Sequence, residues 1–220
     1  IYRHVQFLCE NGFDAAVLHT DLGFVREDKV GIPVRYQEKA GDIEAGDVVV
    51  LPEGVPQVMK GFANSPVRRF AFALNWDYVY RSLPLNEDWR DYGIERIMVS
   101  CRYIGDMIGW AMSLPVHFVE NSIDPTVYYS EFSLKEKKKK IVFIKRKGEL
   151  VPLLMRVLQS KNQRFIRDIE WLALDGLSEG EYARHIREAA IFVNTSRAEG
   201  ILNASFQAMR CNTLVAGFDS

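Results

Sequence analysis

The stretch EWLALDGLSEGEYARHIREAAIFVNT, residues 170–195, contains the unit from which the fold of this chain is built. It opens with the apolar run EWLAL (170–174) and closes with IFVNT (191–195), and both have the length and composition of buried strands. Between them Ser178 and Glu181 stand at capping-box spacing, so we expect a helix to begin there. A strand, a helix and a strand in this order are typical of a parallel sheet covered by helices.

The same alternation continues on both sides of this stretch. Upstream, KIVFIK (140–145) has the pattern of a strand, and the apolar residues between 150 and 158 fall on one face of a helix. Downstream, a helix over about 202–211 precedes a final strand, TLVAGF (213–218). The second half of the chain is therefore predicted to form one Rossmann-like domain.

The first half shows the same pattern with different strands. The predicted strands are AAVLH (15–19), DVVVLP (47–52), RFAFAL (69–74), RIMVS (96–100) and PVHFVE (115–120), and the predicted helices cover 4–10 and 102–112. Two successive sets of strands and helices predict an α/β protein made of two Rossmann-like, parallel-sheet domains that face a cleft.

We expect an N-terminal domain over 1–125, a charged linker over 126–139 and a C-terminal domain over 140–220. The linker prediction rests on SEFSLKEKKKK (130–140), whose five lysines suggest a solvated connector. The chain starts inside a predicted helix and stops on a predicted strand, so both domains are expected to be truncated at the outer ends.

Composition excludes several classes of function. The chain has 220 residues, and its 28 Lys and Arg residues against 29 Asp and Glu residues leave a net charge of -1, which provides no global attraction for nucleic acid. Three scattered cysteines favour neither a disulfide framework nor a zinc site. No apolar run approaches the length of a membrane span. We expect a cytoplasmic protein, with peripheral membrane contact left open.

The chemistry-bearing residues follow predicted strands, where parallel sheets bind ligands. Arg146 and Lys147 follow KIVFI and could neutralise a diphosphate, or could be solvated basic residues before a helix. Glu199 precedes the helix that begins near Leu202 and could accept hydrogen bonds from sugar hydroxyls, or could be a surface acid at a helix N-terminus. Gln207, on that helix, could contact a ribose.

Longer segments resemble a known family. The sequence EGILNASFQAMRCNTLVAGF (199–218) resembles the pattern E-G-F-G-L-P-x-x-E-A-M-A-C-G-x-x-V-V, RKG (146–148) resembles a basic motif, and VENSIDPTVY (119–128) resembles an N-G-I-D segment before a domain crossover. These motifs are similar to those of the retaining GT-B glycosyltransferases of family four. The resemblance is strong after residue 140 and weak before residue 90.

The resemblance implies a role for each motif residue. Glu199 would lie near the donor sugar and phosphates, while Arg146 and Lys147 would grip the diphosphate and stabilise the leaving group. Gln207 stands where the family has a glutamate that binds the ribose hydroxyls, so the charge-assisted hydrogen bond is lost.

The resemblance also places the donor-binding loop. This loop would comprise Gly200, Ile201, Leu202 and Asn203, and it lacks the family's second glycine and its proline. The family's reaction uses no metal, and the chain has no Asp-x-Asp sequence, so we expect no metal and no cofactor.

The expected activity is transfer of a sugar, with retention, from a nucleotide-diphosphate donor to a glycan or other hydroxyl acceptor, in glycan or polysaccharide biosynthesis. The departures at Gln207 and in the loop support an alternative, a catalytically degenerate relative that binds a nucleotide or glycan or acts as a scaffold. A nucleotide-sugar epimerase of the same architecture is a third alternative. An NAD-dependent oxidoreductase is disfavoured, because no G-x-G-x-x-G follows a strand.

Overall fold

A computed structural model describes residues 1–21, 31–36, 43–163, 167–196 and 202–217 of the chain. Packing divides the chain into two units. The smaller unit comprises Ile1–Val49 and Ser65–Arg68, and the larger unit comprises Val50–Asn64 and Arg69–Ser220. The domain boundaries expected from the sequence, at 125 and 140, stay a prediction.

Helices and strands alternate through the described residues. The helices are α1 (Tyr2–Glu10), α2 (Pro56–Phe62), α3 (Trp76–Ser82), α4 (Arg102–Met112), α5 (Val151–Lys161), α6 (Glu179–Glu188) and α7 (Asn203–Arg210). The strands are β1 (Val17–His19), β2 (Val34–Tyr36), β3 (Val48–Pro52), β4 (Arg68–Ala73), β5 (Arg96–Val99), β6 (Val116–Phe118), β7 (Lys138–Ile144), β8 (Glu170–Leu174), β9 (Ala189–Asn194) and β10 (Leu214–Gly217). No helix in the described part of the chain is long and apolar enough to span a membrane.

The predicted elements are confirmed to within a few residues at each end, whereas β2, α2 and α3 were not predicted. Both missed helices have only seven residues, too few for a clear apolar period. Each nevertheless has a start signal: Pro56 is the first residue of α2, and the Asn75 side chain accepts a hydrogen bond from the Asp77 amide at the start of α3.

The strands of the described residues form three sheets. Their orders are β1-β2, β3-β4-β5-β6 and β10-β9-β7-β8. The pairs β1-β2, β4-β5, β5-β6, β7-β8, β7-β9 and β9-β10 are all parallel, which confirms the expected α/β class.

The second large sheet, β10-β9-β7-β8, is covered on both faces. Ile141 and Val193 pack with α5 in one core cluster, while their neighbours Val142 and Phe192 pack with α6 and α7 in another. Successive strand side chains point to opposite faces, so each apolar run supplies both layers. The predicted capping box of α6 is present in full: the Ser178 side chain accepts from the Glu181 amide, and the Glu181 side chain accepts from the Ser178 amide.

The first large sheet, β3-β4-β5-β6, packs closely against α4. A Cβ atom added at Gly105 would lie 2.9 Å from Val99 Cγ2 and 2.9 Å from Val116 Cγ1, so glycine lets the helix approach β5 and β6. Ile104 and Ile108 are fully buried beside it. β5 and β6 end side by side, with Val99 paired to Phe118, and the segment that leads to the second large sheet begins directly after β6.

The segment between β6 and β7 is anchored to the second sheet. Tyr128 is buried in the cluster under α6 and α7, with Ile123 and Val127 packed against it. The Arg187 guanidinium on α6 donates to the Val127 carbonyl oxygen at 2.7 Å and pairs with Glu131 at 2.9 Å. The connector therefore packs against α6 and α7, the helices that cover one face of the second large sheet.

Two of the five lysines in the stretch SEFSLKEKKKK (130–140) are buried, so the expectation of a solvated run was wrong for these two. The Lys137 ammonium donates to the carbonyl oxygens of Arg187 at 2.7 Å and Cys211 at 2.8 Å, and to the Thr213 hydroxyl at 2.8 Å. Lys140 is 3% exposed and pairs with Glu188 at 3.2 Å. A buried ammonium is tolerated only when oxygens replace its water shell, and both lysines have them.

Candidate active site

The second large sheet has its topological switch point between β7 and β9. From β7 the chain passes through α5 to β8 on one side, then returns through α6 to β9 on the other side of β7. Ligands bind beyond the carboxyl ends of the strands at such a point, because the segments that follow them diverge there. β7 ends at Ile144 and β9 ends at Asn194, so the residues after these two positions define the candidate site.

A basic 3-10 turn, Lys145–Lys147, directly follows β7. The Lys145 ammonium pairs with Asp175, which follows β8, at 2.9 Å. The hydroxyl of Thr195, which follows β9, donates to the Lys147 carbonyl oxygen at 2.5 Å. These two contacts tie the basic turn to the segments after both neighbouring strands, so the ends of three strands share one edge of the sheet.

The two predicted cations of the turn differ in environment. The Arg146 side chain is exposed, and the described residues offer it no hydrogen bond or ion pair. Lys147 is partly buried, and this burial, together with the positive charge of Arg146, lowers the pKa of Lys147 to about 8. A lysine that is made less basic by desolvation and a like charge is stabilised in its charged form by a nearby anion.

Gly148 closes the turn because no side chain fits there. A Cβ atom at this position would lie 2.5 Å from Phe143 Cδ2 and 3.2 Å from the Ile144 carbonyl oxygen. Its φ of -96° is open to any residue, so space and not backbone conformation requires glycine. The basic turn therefore rests directly on the Phe143 ring.

α7 begins beyond the carboxyl end of β9, and within the described residues no side chain caps its N-terminus at Leu202. The amides of a first helical turn have no partner within the helix and carry a partial positive charge. Ala204 and Ala208 bury one face of α7, Asn203 is exposed at its start, and Gln207 is partly buried one turn further on.

The structure thus brings together two groups of the predicted site residues at one sheet edge: Arg146 and Lys147 after β7, and the start of α7 after β9. Three others, Glu199, Gly200 and Ile201, lie outside the described residues. The roles assigned to all of these residues from the sequence stay predictions.

Sequence reasoning missed a pocket of about 510 Å³ in the larger unit. Its lining comprises Ser100, Glu120, Asn121, Ile123, Phe206 and Arg210. Ser100 directly follows β5, and Glu120 and Asn121 lie two and three residues after the end of β6. The predicted strands, 96–100 and 115–120, included Ser100 and Glu120, so the carboxyl-end rule that singled out Arg146 did not select them, whereas the shorter observed strands leave both residues beyond the strand ends. Phe206 and Arg210 are four residues apart, and therefore share one face of α7.

Comparisons with known proteins agree with the fold. No protein-family model matches the sequence, and no curated protein matches it significantly. Among solved structures, sucrose-phosphate synthase from Thermosynechococcus elongatus matches 98% of this chain and 73% of its own, with a TM-score of 0.61 and 10% identity. S. aureus TarM, crystallised with UDP and alpha-GlcNAc-glycerol, matches 77% of this chain and 41% of its own, with a TM-score of 0.54 and 12% identity.

The pneumococcal O-GlcNAc transferase GtfA, crystallised with UDP and GlcNAc, matches 82% of this chain and 43% of its own, with a TM-score of 0.50 and 13% identity. The chain therefore spans less than half the length of GtfA and of TarM. All three neighbours are GT-B glycosyltransferases, and the chain has the GT-B fold that the motifs predicted.

Proposed function

We propose that this chain is the donor-binding and cleft-forming part of a glycosyltransferase that moves a sugar from a nucleotide-diphosphate donor to a hydroxyl acceptor with retention, in glycan or polysaccharide biosynthesis. The observation that carries the proposal is the pairing, at one switch point, of the basic turn after β7 with the start of α7 after β9. UDP in the structures of GtfA and TarM, which share the fold, agrees with it.

The proposed sugar transfer requires that the negative charge on the departing diphosphate be stabilised. Arg146 can donate two parallel hydrogen bonds to phosphate oxygens, and Lys147 adds a second cation at the same place. The amides at the start of α7 supply further donors to the same anion. These groups stabilise the leaving group most when its charge develops, so they lower the barrier as well as binding the donor.

The proposed reaction needs no metal, because Arg146, Lys147 and the α7 amides supply positive charge to the diphosphate. In the proposed mechanism the bond between the anomeric carbon and the diphosphate oxygen breaks and the sugar passes through an oxocarbenium-like state. The acceptor hydroxyl oxygen then bonds to the anomeric carbon on the face that the diphosphate left, and its proton passes to the departing diphosphate. Glu199 would accept hydrogen bonds from the sugar hydroxyls, as the motif resemblance implies.

Calorimetric titration with UDP, GDP and ADP tests the proposal. We expect one nucleotide to bind, and Arg146→Ala to weaken it by at least tenfold, since a charge-assisted bond contributes about 1.5–3 kcal/mol. Arg156→Ala, an exposed arginine on α5, is the matched control and should bind as the wild type does. With donor and acceptor present, Arg146→Ala should lower kcat about 100-fold or more. Absence of binding for all three nucleotides would overturn the proposal.

The departure at Gln207 supports the alternative of a degenerate relative, and Gln207→Glu separates the two. Gln207 is partly buried on α7, so the substitution places a carboxylate near the proposed ribose position. A change in nucleotide affinity below about threefold would mean that the amide is an adapted contact. A gain well beyond tenfold, together with absence of turnover in the wild type, would favour the degenerate relative.

A further inference from the structure

We propose that Thr195 is a positioning residue, which fixes the basic turn Lys145–Lys147 where it can meet the donor diphosphate. This inference rests on the proposed function, because it concerns how the same site is held in place. One contact carries it: the Thr195 hydroxyl donates to the Lys147 carbonyl oxygen at 2.5 Å, across 48 positions of the chain. Thr195 directly follows β9, so the contact joins the segments after the two strands that flank the switch point.

The Thr195 contact acts on the main chain of the basic turn. Its hydrogen bond ends on a backbone oxygen, so it fixes the path of the chain without occupying the charged end of either Arg146 or Lys147. Phosphate oxygens are bound only by donors that lie within hydrogen-bond distance of them. A misplacement of about 1 Å can lower the rate of a reaction about 100-fold, so the position of this turn matters to the proposed transfer.

Thr195 is itself held in place by the end of β9. The Asn194 side chain accepts a hydrogen bond from the Ser196 amide at 3.0 Å, which closes a tight turn around Thr195. β10 supports this turn: Gly217 pairs with Asn194, and a Cβ atom added at Gly217 would lie 2.7 Å from the Asn194 carbonyl oxygen. A series of contacts therefore runs from β10 through Asn194 and Thr195 to the basic turn.

The anchor on the other side of the basic turn is weaker. There the Lys145 ammonium pairs with Asp175 at 2.9 Å, but the two side chains are 66% and 57% exposed. Water competes with exposed ion pairs, so such a pair does little to hold a conformation. The hydrogen bond of Thr195 is partly buried, where hydrogen bonds are stronger. The position of the turn relative to the end of β9 therefore depends on Thr195.

Thr195→Val tests the inference, because valine keeps the shape of threonine and removes the hydroxyl. In calorimetric titrations with UDP, GDP and ADP, we expect the Kd of the nucleotide that binds to rise about tenfold at pH 7. Thr195→Ser keeps the hydroxyl, and its Kd should lie within about twofold of the wild type. Ser160→Ala is the matched control, since it removes a hydroxyl that donates to the Arg156 carbonyl oxygen on α5 at 3.0 Å, and it should bind as the wild type does.

The pH dependence of the Kd separates positioning from general damage to the site. In the wild type, partial burial lowers the pKa of Lys147 to about 8, so the Kd should rise about tenfold between pH 7 and pH 9. In Thr195→Val the turn is released and the Lys147 side chain regains water, so the pKa of Lys147 should return toward 10.5. The Kd of this variant should then change less than about threefold over the same range, and meet that of the wild type at pH 9.

The results separate this inference from the proposed function. A nucleotide affinity that falls in Arg146→Ala but not in Thr195→Val overturns the positioning role alone. An equal loss of affinity in Thr195→Val at pH 7 and pH 9 also overturns it, since the substitution would then have damaged the site as a whole. Thr195→Ala removes the same hydroxyl with less bulk, and replaces Thr195→Val if valine prevents folding. Absence of binding of all three nucleotides to the wild type overturns the proposed function, and the positioning role with it.

Discussion

At the residue scale, Lys147 shows how local packing gives an ordinary side chain a special property. Its sequence neighbours show only a basic cluster, RKG, which suits a solvated surface as well as a phosphate site. The structure buries part of the side chain beside Arg146 and lowers the pKa of Lys147 to about 8. Lys147 therefore loses its positive charge around pH 8, within the pH range in which the protein can be studied.

This pKa predicts that nucleotide affinity depends on pH. Below pH 8 the Lys147 ammonium is charged and attracts the diphosphate, and above pH 8 the free protein must take up a proton to bind it. We expect the Kd to rise about tenfold between pH 7 and pH 9, where the phosphate groups themselves no longer titrate, since their last pKa is about 6. Calorimetry over this range measures the effect.

Lys147→Arg is the control for that prediction, because arginine keeps its charge throughout. Its Kd should stay level from pH 7 to pH 9. A wild-type Kd that is equally level would show that Lys147 does not contact the anion.

At the element scale, the connector between β6 and β7 is fixed by contacts that its sequence does not reveal. A run of four consecutive lysines, 137–140, looks uniformly solvated, yet Lys137 donates to oxygens that lie 50 to 76 residues further along the chain. Its ammonium bridges the end of α6, the residue after α7 and the residue before β10. One side chain thus joins three elements at the amino-terminal edge of the second large sheet.

Removal of this ammonium should be costly. In Lys137→Met the apolar stem is kept, but two carbonyl oxygens and the Thr213 hydroxyl lose a charged donor. We expect the free energy of unfolding to fall by about 3 kcal/mol, measured by urea denaturation. Lys139→Met, at an exposed position two residues away, should change it by less than about 0.5 kcal/mol. Equal effects of the two substitutions would contradict the bridging role.

At the scale of the whole molecule, stability toward acid depends on carboxylates that hold elements together. The Glu188 carboxylate, at the end of α6, pairs with the ammonium groups of two lysines on β7, Lys138 at 2.9 Å and Lys140 at 3.2 Å. Burial acts to raise its pKa, but hydrogen bonds from both lysines outweigh it and bring the pKa of Glu188 to about 2. Because the folded-state pKa lies below the usual 4.5, this carboxylate stabilises the folded chain above pH 4.5 and loses that effect as the pH falls toward 2.

Glu188→Gln should therefore have an effect that depends on pH. At pH 7 we expect the free energy of unfolding to fall by about 2 kcal/mol, and the difference from the wild type to shrink steadily between pH 4.5 and pH 3. Urea denaturation at several pH values measures this difference. Glu149→Gln, an exposed carboxylate after the basic turn, should show little difference at any pH. A difference for Glu188→Gln that persists undiminished at pH 3 would refute the ionic explanation.

The sequence by itself determined the α/β class, the position of most strands and longer helices, the capping box of α6, and the GT-B motifs. These depend on residues close together in the chain, whose periodicity and spacing can be seen without a structure. Arg146 and Lys147 were found in the same way, because the end of a predicted strand is a local feature.

Only the tertiary structure decided which strand ends become neighbours, and so which side chains share a site. The connection from β8 to β9 crosses over β7 and so creates the switch point. The burial of Lys137 depends on partners far away in the chain. The pocket of Glu120 and Phe206 combines residues that are 86 positions apart. Such contacts follow from the way in which the apolar layers pack. The composition of the chain favours this packing but does not set which strands become neighbours. The order of strands in each sheet therefore had to be observed before the chemistry could be assigned a place.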